Sequence, residues 1–393
     1  MILPKFSASL SLVFFIAIES LCGQTIEGAN GYISYQTGNL PIVISVPHGG
    51  SLSPPSIPNR TCNDAVYATD AFTIELAEEI NLSLIALTGC QPHIIYCHLA
   101  RTKLDANRNL QAGACGNPEA VEAWETFHAF IETAQESARG IYNDKVFYID
   151  LHGHGNTAQR LELGYLLYDD ELEESDEVLN SPEFVGYSSV QNLVSTNVNN
   201  LNHAQLLRGP GAFGTRMGEA GYPSVPSQQI PFPGTNSNYF SGGYNTVNHT
   251  SYQIGNPVNG LQMECNFTNV RDTPANRKTF ADSLATVLID YLAYHQNIDF
   301  SSCQQIPVGQ ENTTKLPVRL YPTLAPPSGK FQLDGGEFEG VPFFVYDISG
   351  KLLEKGFVSE GNLIGLQTII TKQFAVVVLE SSRQTFRFKV LFE

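Results

Sequence analysis

The sequence predicts an α/β domain built on a mainly parallel or mixed sheet with helices on both faces, followed by a small C-terminal all-β sandwich. Two short apolar, β-rich runs, 40–47 and 147–151, alternate with segments of helical spacing, the pattern of buried strands joined by crossovers. Beyond a polar stretch at 301–316 the helical spacing stops, and brief β-rich runs alternate with turns.

The first strand is Leu40-Pro41-Ile42-Val43-Ile44-Ser45-Val46-Pro47, bounded by Gly49-Gly50, and it leaves His48 at its end. The spacing of Phe72, Leu76, Ile80 and Leu84 predicts a helix from about Thr69 to Leu87, closed by Gly89. A second helix opens on Asn117-Pro118 as cap and first-turn residue, carries Val121, Trp124, Phe127, His128 and Ile131, and ends near Gly140. It leads into Phe147-Tyr148-Ile149-Asp150-Leu151-His152-Gly153-His154-Gly155. Strand alternation there puts Phe147, Ile149 and Leu151 on one face and Asp150, His152 and His154 on the other.

The stretch 209–257 is rich in Gly, Pro, Ser, Asn and Tyr and lacks periodicity, as expected of loops that cover a substrate. In Gly260-Leu261-Gln262-Met263-Glu264-Cys265-Asn266-Phe267, alternation places Leu261, Met263, Cys265 and Phe267 on one face and Gln262, Glu264 and Asn266 on the other. A closing helix starts at Thr273-Pro274. In such sheets sites gather at the carboxyl ends of strands, so His48 and His152 are expected to meet although a hundred positions separate them.

At the amino end, Lys5, the apolar run 10–18 and the small residues Cys22 and Gly23 read as a secretory signal peptide over 1–23. The expected product is secreted or at the cell surface, with no transmembrane segment. The expected domains are then 24–300, a linker at 301–316, and the β-sandwich at 317–393. Of the seven cysteines, cleavage removes Cys22; the remaining even number suggests up to three disulfides, with Cys90 and Cys97 near enough to close a small loop. A formal charge of −17 excludes nucleic acid as a partner, since no basic stretch offsets phosphate repulsion.

Metal-assisted hydrolysis needs about three protein ligands, an open position and a base. His48 and His152 supply two imidazoles. Asp70 either completes the set or caps the first helix, and His154 and Asp150 compete for the same role. Glu264, on the polar face of an apolar strand, is the candidate base. Arg101, Asn107 and Arg108 form a polar loop able to grip a substrate carboxylate through a planar guanidinium. No Gly-x-Ser-x-Gly elbow is present for a metal-free esterase.

In this order, Val46-Pro47-His48-Gly49-Gly50, Asp105-Ala106-Asn107-Arg108, Ile149-Asp150-Leu151-His152-Gly153-His154-Gly155 and Leu261-Gln262-Met263-Glu264 resemble the N-formylglutamate amidohydrolase family, which shares its fold with the zinc carboxypeptidases. The resemblance implies zinc on His48 and His152, a substrate-carboxylate grip at Asn107-Arg108 and Glu264 as general base; Arg101 and His154 are further substrate contacts on the reading of the residues themselves. It implies hydrolysis of an amide bond in an N-acyl amino acid or peptide. The carboxypeptidase pattern has a ligating glutamate three residues after the first histidine; here that position is Ser51, which leaves Asp70 as the candidate. The C-terminal segment, with Val318-Arg319-Leu320-Tyr321-Pro322 and Phe344-Val345-Tyr346-Asp347-Ile348-Ser349-Gly350-Lys351, resembles the sorting domain of the type IX secretion system, although Thr323-Leu324 replaces the usual Asn-Pro. The rival reading is a non-catalytic protein of the same fold that holds glycan or peptide in its Tyr- and Asn-rich loops.

Overall fold

The computed structural model describes residues 23–300 apart from 63–64 and 235–236, and then 319–321, 324–325, 330–334, 338–347, 351–359, 361, 363–366, 373–380 and 385–392. The expected signal peptide, apart from Gly23, and the expected linker lie outside the described residues. The chain divides into two compact units, Met1–Ile306 and Pro307–Glu393.

The first unit is the predicted α/β architecture. Its eight strands are β1 (Thr25–Glu27), β2 (Ile33–Gln36), β3 (Ile42–Val46), β4 (His93–Cys97), β5 (Phe147–His154), β6 (Leu161–Gly164), β7 (Ser224–Val225) and β8 (Asn259–Asn266), ordered β1-β2-β4-β3-β5-β8-β6-β7. The central run β4-β3-β5-β8 is parallel, and β1, β2 and β6 make the antiparallel pairings. Three long helices cover it: α1 (Thr73–Thr88), α2 (Pro118–Tyr142) and, closing the unit, Pro274–Gln296.

Alternation along the central strands builds two separate cores. Ile42, Ile44 and Val46, with Phe147, Ile149 and Leu151, pack with Leu76, Ile80 and Leu84 of α1 and Leu284 and Leu288 of the closing helix. Val43, Ile95 and Tyr148 pack on the other face against Phe127, Ile131 and Ala134 of α2. Two of the three long helices start on the predicted caps: the Asn117 side chain accepts from Ala120 N, and the Thr273 side chain accepts from Asn276 N.

Two expected apolar positions fall outside their elements. Phe72 precedes α1 instead of lying on its stripe, and Phe267 follows β8; both are exposed. The stretch 209–257 is less irregular than expected, with helices at Phe213–Glu219 and Tyr244–His249 (α3) and strand β7. Cys62 and Cys115 form a disulfide. Cys90 is disulfide-bonded, but not to Cys97, its neighbour in sequence: Cys97 is a buried free thiol, as is Cys265, so the small loop the spacing allows is not closed. No helix among the described residues is long and apolar enough to cross a membrane.

Five histidines, His93, His128, His203, His249 and His295, are buried in the frame of this unit. His93 bonds Tyr35 Oη through Nδ1 at 2.7 Å, His128 Nδ1 meets His249 Nε2 at 2.7 Å, and His295 Nε2–H donates to Gly211 O at 2.8 Å. Burial pushes their pKa values down to about 4, 3, 4 and 4 for His93, His128, His249 and His295. The folded values lie below the unfolded one, so the unfolded chain binds protons first, and stability drains away as pH falls from about 6.5 towards 4. Melts at pH 7 and pH 5 are expected to show a lower Tm at pH 5, the lowered imidazoles outnumbering His152 and Glu264, whose raised values act the other way; a Tm at pH 5 as high as at pH 7 would mean that the lowered group does not dominate.

In the second unit the described strands form a five-stranded sheet, β10 (Leu324–Ala325), β16 (Thr385–Phe392), β15 (Gln373–Glu380), β12 (Pro342–Asp347) and β13 (Leu352–Phe357), and a three-stranded one, β14 (Leu363–Gly365), β11 (Lys330–Asp334) and β9 (Arg319–Tyr321). Phe331, Leu333 and Ile364 from the smaller sheet share one core with Phe343, Val345, Val377 and Leu379 from the larger. The predicted small β-region is therefore present.

Candidate metal centre

The strand ends bring the candidate groups together. Residues 48, 70 and 152 come respectively from just past β3, from the approach to α1 and from β5. His48 Nδ1, His152 Nδ1 and Asp70 Oδ2 face one another at 3.2, 3.1 and 3.3 Å, forming a closed triangle. All three side chains are buried, at 1%, 2% and 7% exposure. Asp70 does not cap α1: the cap position is Phe72, so the carboxylate is left to the site.

The outer nitrogen of each imidazole is held by a carboxylate. His48 Nε2–H donates to Asp105 Oδ1 at 2.7 Å, and His152 Nε2–H donates to Asp150 Oδ2 at 2.8 Å. That arrangement fixes the tautomers and turns both Nδ1 lone pairs inward. Two lone pairs and a carboxylate oxygen at such spacing repel unless a proton or a metal cation lies between them. Tetrahedral ligands at about 2.0–2.1 Å from zinc stand about 3.4 Å apart, close to the observed spacing, and two imidazoles with one carboxylate are an ordinary zinc donor set. The residues fit the ion.

The electrostatics agree. Burial disfavours a charged His152, yet Asp150, Asp70 and Glu264 outweigh it and raise its pKa well above that of an ordinary imidazole. Burial alone would raise the carboxyls of Asp70 and Asp105, but His48, joined by His152 at Asp70 and by Arg101 at Asp105, holds both well below the usual range. A group of carboxylates this deep calls for positive charge.

Glu264 stands on β8 directly beside His152 in the parallel register, with Oε1 3.9 Å from His152 Nδ1. Gln262 Nε2 donates to that oxygen at 3.0 Å. Burial pushes the Glu264 carboxyl up to about 7, with Asp70 and Glu162 adding to the rise and the two histidines opposing it. A base poised near neutrality suits proton transfer from water.

Other expected contacts take different places. Asn107 is committed inside the site: its Nδ2 lies 3.3 Å from Gln262 Oε1 and 3.2 Å from His152 Nε2, and its Oδ1 accepts from Asn245 N at 2.8 Å. Arg101 donates to Asp105 Oδ2 at 3.0 Å and lies 3.7 Å from Asp70 Oδ1, bracing two site carboxylates where a substrate grip was expected. His154 has both ring nitrogens in local backbone bonds, Nε2–H to Arg160 O and Nδ1 from Asn156 N, so it clamps a loop. Arg108 is half-buried; its carbonyl accepts from Trp124 Nε1, and its side chain makes no hydrogen bond or ion pair among the described residues. It is the arginine of this loop that is free to take a carboxylate.

Three groups escaped the sequence reading. Asn245, on α3, donates to Asp150 Oδ1 at 3.1 Å and so fixes the carboxylate behind His152. Gly243 lies so close to Asn107 and Gln262 that a Cβ would strike both, which is how this loop roofs the site. Glu162, on β6 opposite Glu264, is fully buried and accepts from Phe240 N at 3.1 Å. Its signal was the antiparallel register, which no single strand pattern reveals.

No family model and no curated protein sequence matches the chain. Among solved structures, the chain is similar to an N-formylglutamate amidohydrolase from Ralstonia eutropha JMP134, at 13% identity over 67% of this chain and 98% of that one, TM-score 0.39. A putative carboxypeptidase A from Shewanella denitrificans OS-217 aligns at 12% identity over 67% and 60%, TM-score 0.32. A metallo-carboxypeptidase from Pseudomonas aeruginosa, in complex with (2-guanidinoethylmercapto)succinic acid, aligns at 9% identity over 66% and 61%, TM-score 0.29.

Proposed function

We propose that the first unit is a zinc-dependent amidohydrolase that cleaves an amide bond in a carboxylate-bearing substrate, an N-acyl amino acid or a peptide. One observation carries this reading: His48 Nδ1, His152 Nδ1 and Asp70 Oδ2 converge with tetrahedral spacing, and a buried glutamate stands beside them. Zinc bound there would polarise an amide carbonyl and acidify water. Glu264, oriented by Gln262, takes a proton from the attacking water and returns it to the leaving nitrogen. Arg108 anchors the substrate carboxylate, and Asp105, Asp150, Asn107 and Asn245 hold the imidazoles in place.

The same proposal assigns the protein to the secreted or cell-surface space. The Cys62–Cys115 disulfide supports an oxidising compartment, and the leader-like residues 1–23 supply the route. The C-terminal β unit is then an export address read by the type IX secretion machinery and takes no part in the chemistry.

Metal analysis tests the centre. Purified protein loaded with zinc and dialysed is expected to retain about one equivalent, and His152→Ala far less, because losing one of about three ligands opens the site. Substoichiometric zinc in the wild type would sink the reading.

A further inference from the structure

The segment 238–243 is fastened along β6. Phe240 N donates to Glu162 Oε2 at 3.1 Å, Leu166 N donates to Ser241 O at 2.6 Å, and Tyr239 Oη donates to Leu163 O at 2.6 Å. A Cβ at Gly164 would strike the backbone of Phe240, Ser241 and Gly242, so the segment lies directly on the strand. It does so on the face of the metal centre: Glu162 and Gly164 are the cross-strand partners of Glu264 and Gln262 on β8, and such partners share a face.

From there the Phe240 side chain reaches back across β8. Its ring lies 6.3 Å, centroid to centroid, from that of His154 on β5, tilted by 37°. β8 runs between β6 and β5, about 5 Å from each. A side chain rooted over β6 that meets one rooted on β5 therefore lies over β8, beside Glu264 and the next residue on that face, Asn266. His154 closes the span from the other side, with Nε2–H on Arg160 O and Nδ1 taken by Asn156 N. Both of its nitrogens are occupied, so this wall turns only ring carbon outward. The amides around the base are committed inward, Asn107 to Gln262 and Gln262 to Glu264, while Phe240 keeps 40% exposure. An uncharged, partly open ring wall beside the base suits an apolar group on a bound molecule.

We propose that Phe240, backed by His154, is a specificity-determining residue that packs against an aromatic side chain next to the scissile amide, so that substrates carrying an aromatic residue there are preferred. The inference rests on the amidohydrolase reading for the scissile amide. Its physical basis is ring packing added to the burial of apolar area.

The test measures binding of N-acetylphenylalanine and N-acetylalanine by calorimetry to the full-length zinc-loaded protein carrying Glu264→Gln, which holds the probes uncleaved, with Phe240 intact or changed to Ala or Tyr. With Phe240 intact the phenylalanine probe is expected to bind at least about 10-fold more tightly; Phe240→Ala brings the ratio within about 3-fold, and Phe240→Tyr keeps it. Both changes leave the backbone bond to Glu162 and the zinc ligands in place, so Tm and zinc content should stay near those of the parent. Equal or undetectable binding of the two probes with Phe240 intact, or a ratio retained in Phe240→Ala, overturns the subsite. Hydrolysis by the protein with Glu264 intact separates the two readings. Ring-selective binding without hydrolysis counts against the amidohydrolase reading and leaves the subsite standing, whereas cleavage of both probes at equal kcat/KM overturns the subsite alone.

Discussion

Glu264→Gln is expected to keep its zinc and to lose about 10²–10⁴-fold in amide hydrolysis, the usual worth of a positioned general base. Glutamine has the same shape, and its Oε1 can still accept from Gln262 Nε2, so the packing around β8 should survive. Glu264 stands outside the His48–Asp70–His152 triangle, so the metal content should not change. What disappears is the ability to take a proton: the carboxyl, pushed up to about 7 by burial, is basic enough to accept one from water and acidic enough to release it to a departing nitrogen. Zinc analysis with single-turnover hydrolysis of N-acyl amino acids checks both halves. Unchanged turnover would remove Glu264 from the chemistry and favour the rival reading of a binding protein that keeps this fold.

The parts of this site that could be read from the chain are those set by period and strand ends. Period-two alternation separates Phe147, Ile149 and Leu151 from Asp150 and His152, and the structure places them in opposite directions. The same rule fails one step later. His154 shares the face of His152, yet it is the last residue of β5 and its ring turns to local backbone. Periodicity also misplaced Phe72 and Phe267, because a repeat does not announce where its element stops, and each ring lies just past an end. Asp70 fitted a cap or a ligand equally well until the helix was seen to start three residues later. Five short helices between Asp169 and Arg208 are too brief to show a period. Asn245 and Glu162 reach the centre through loop closure and cross-strand register, which depend on the assembled fold.

Arg271 carries the other large expected effect. It is 3% exposed, and its partners are three backbone carbonyls, each beside a site residue: Ala71 next to Asp70, Cys265 next to Glu264, and His154 two residues past His152. One guanidinium thus ties together the segments that present Asp70, Glu264 and His152. Lysine cannot reproduce the planar fork, and methionine leaves the two buried carbonyls, those of Cys265 and His154, without this donor, at about 1–3 kcal/mol each. Arg271→Met is therefore expected to lower Tm by about 5–10 °C, to weaken zinc binding at least about 10-fold, and to be rescued poorly by Arg271→Lys. Gly153 supplies an internal control, because a Cβ there would land on the guanidinium of Arg271. Gly153→Ala should be strongly destabilising in wild type and much less so in an Arg271→Ala background. A double-mutant cycle over Tm and zinc affinity measures that coupling; additive losses at the two positions would mean that Arg271 does not hold the centre together through this contact.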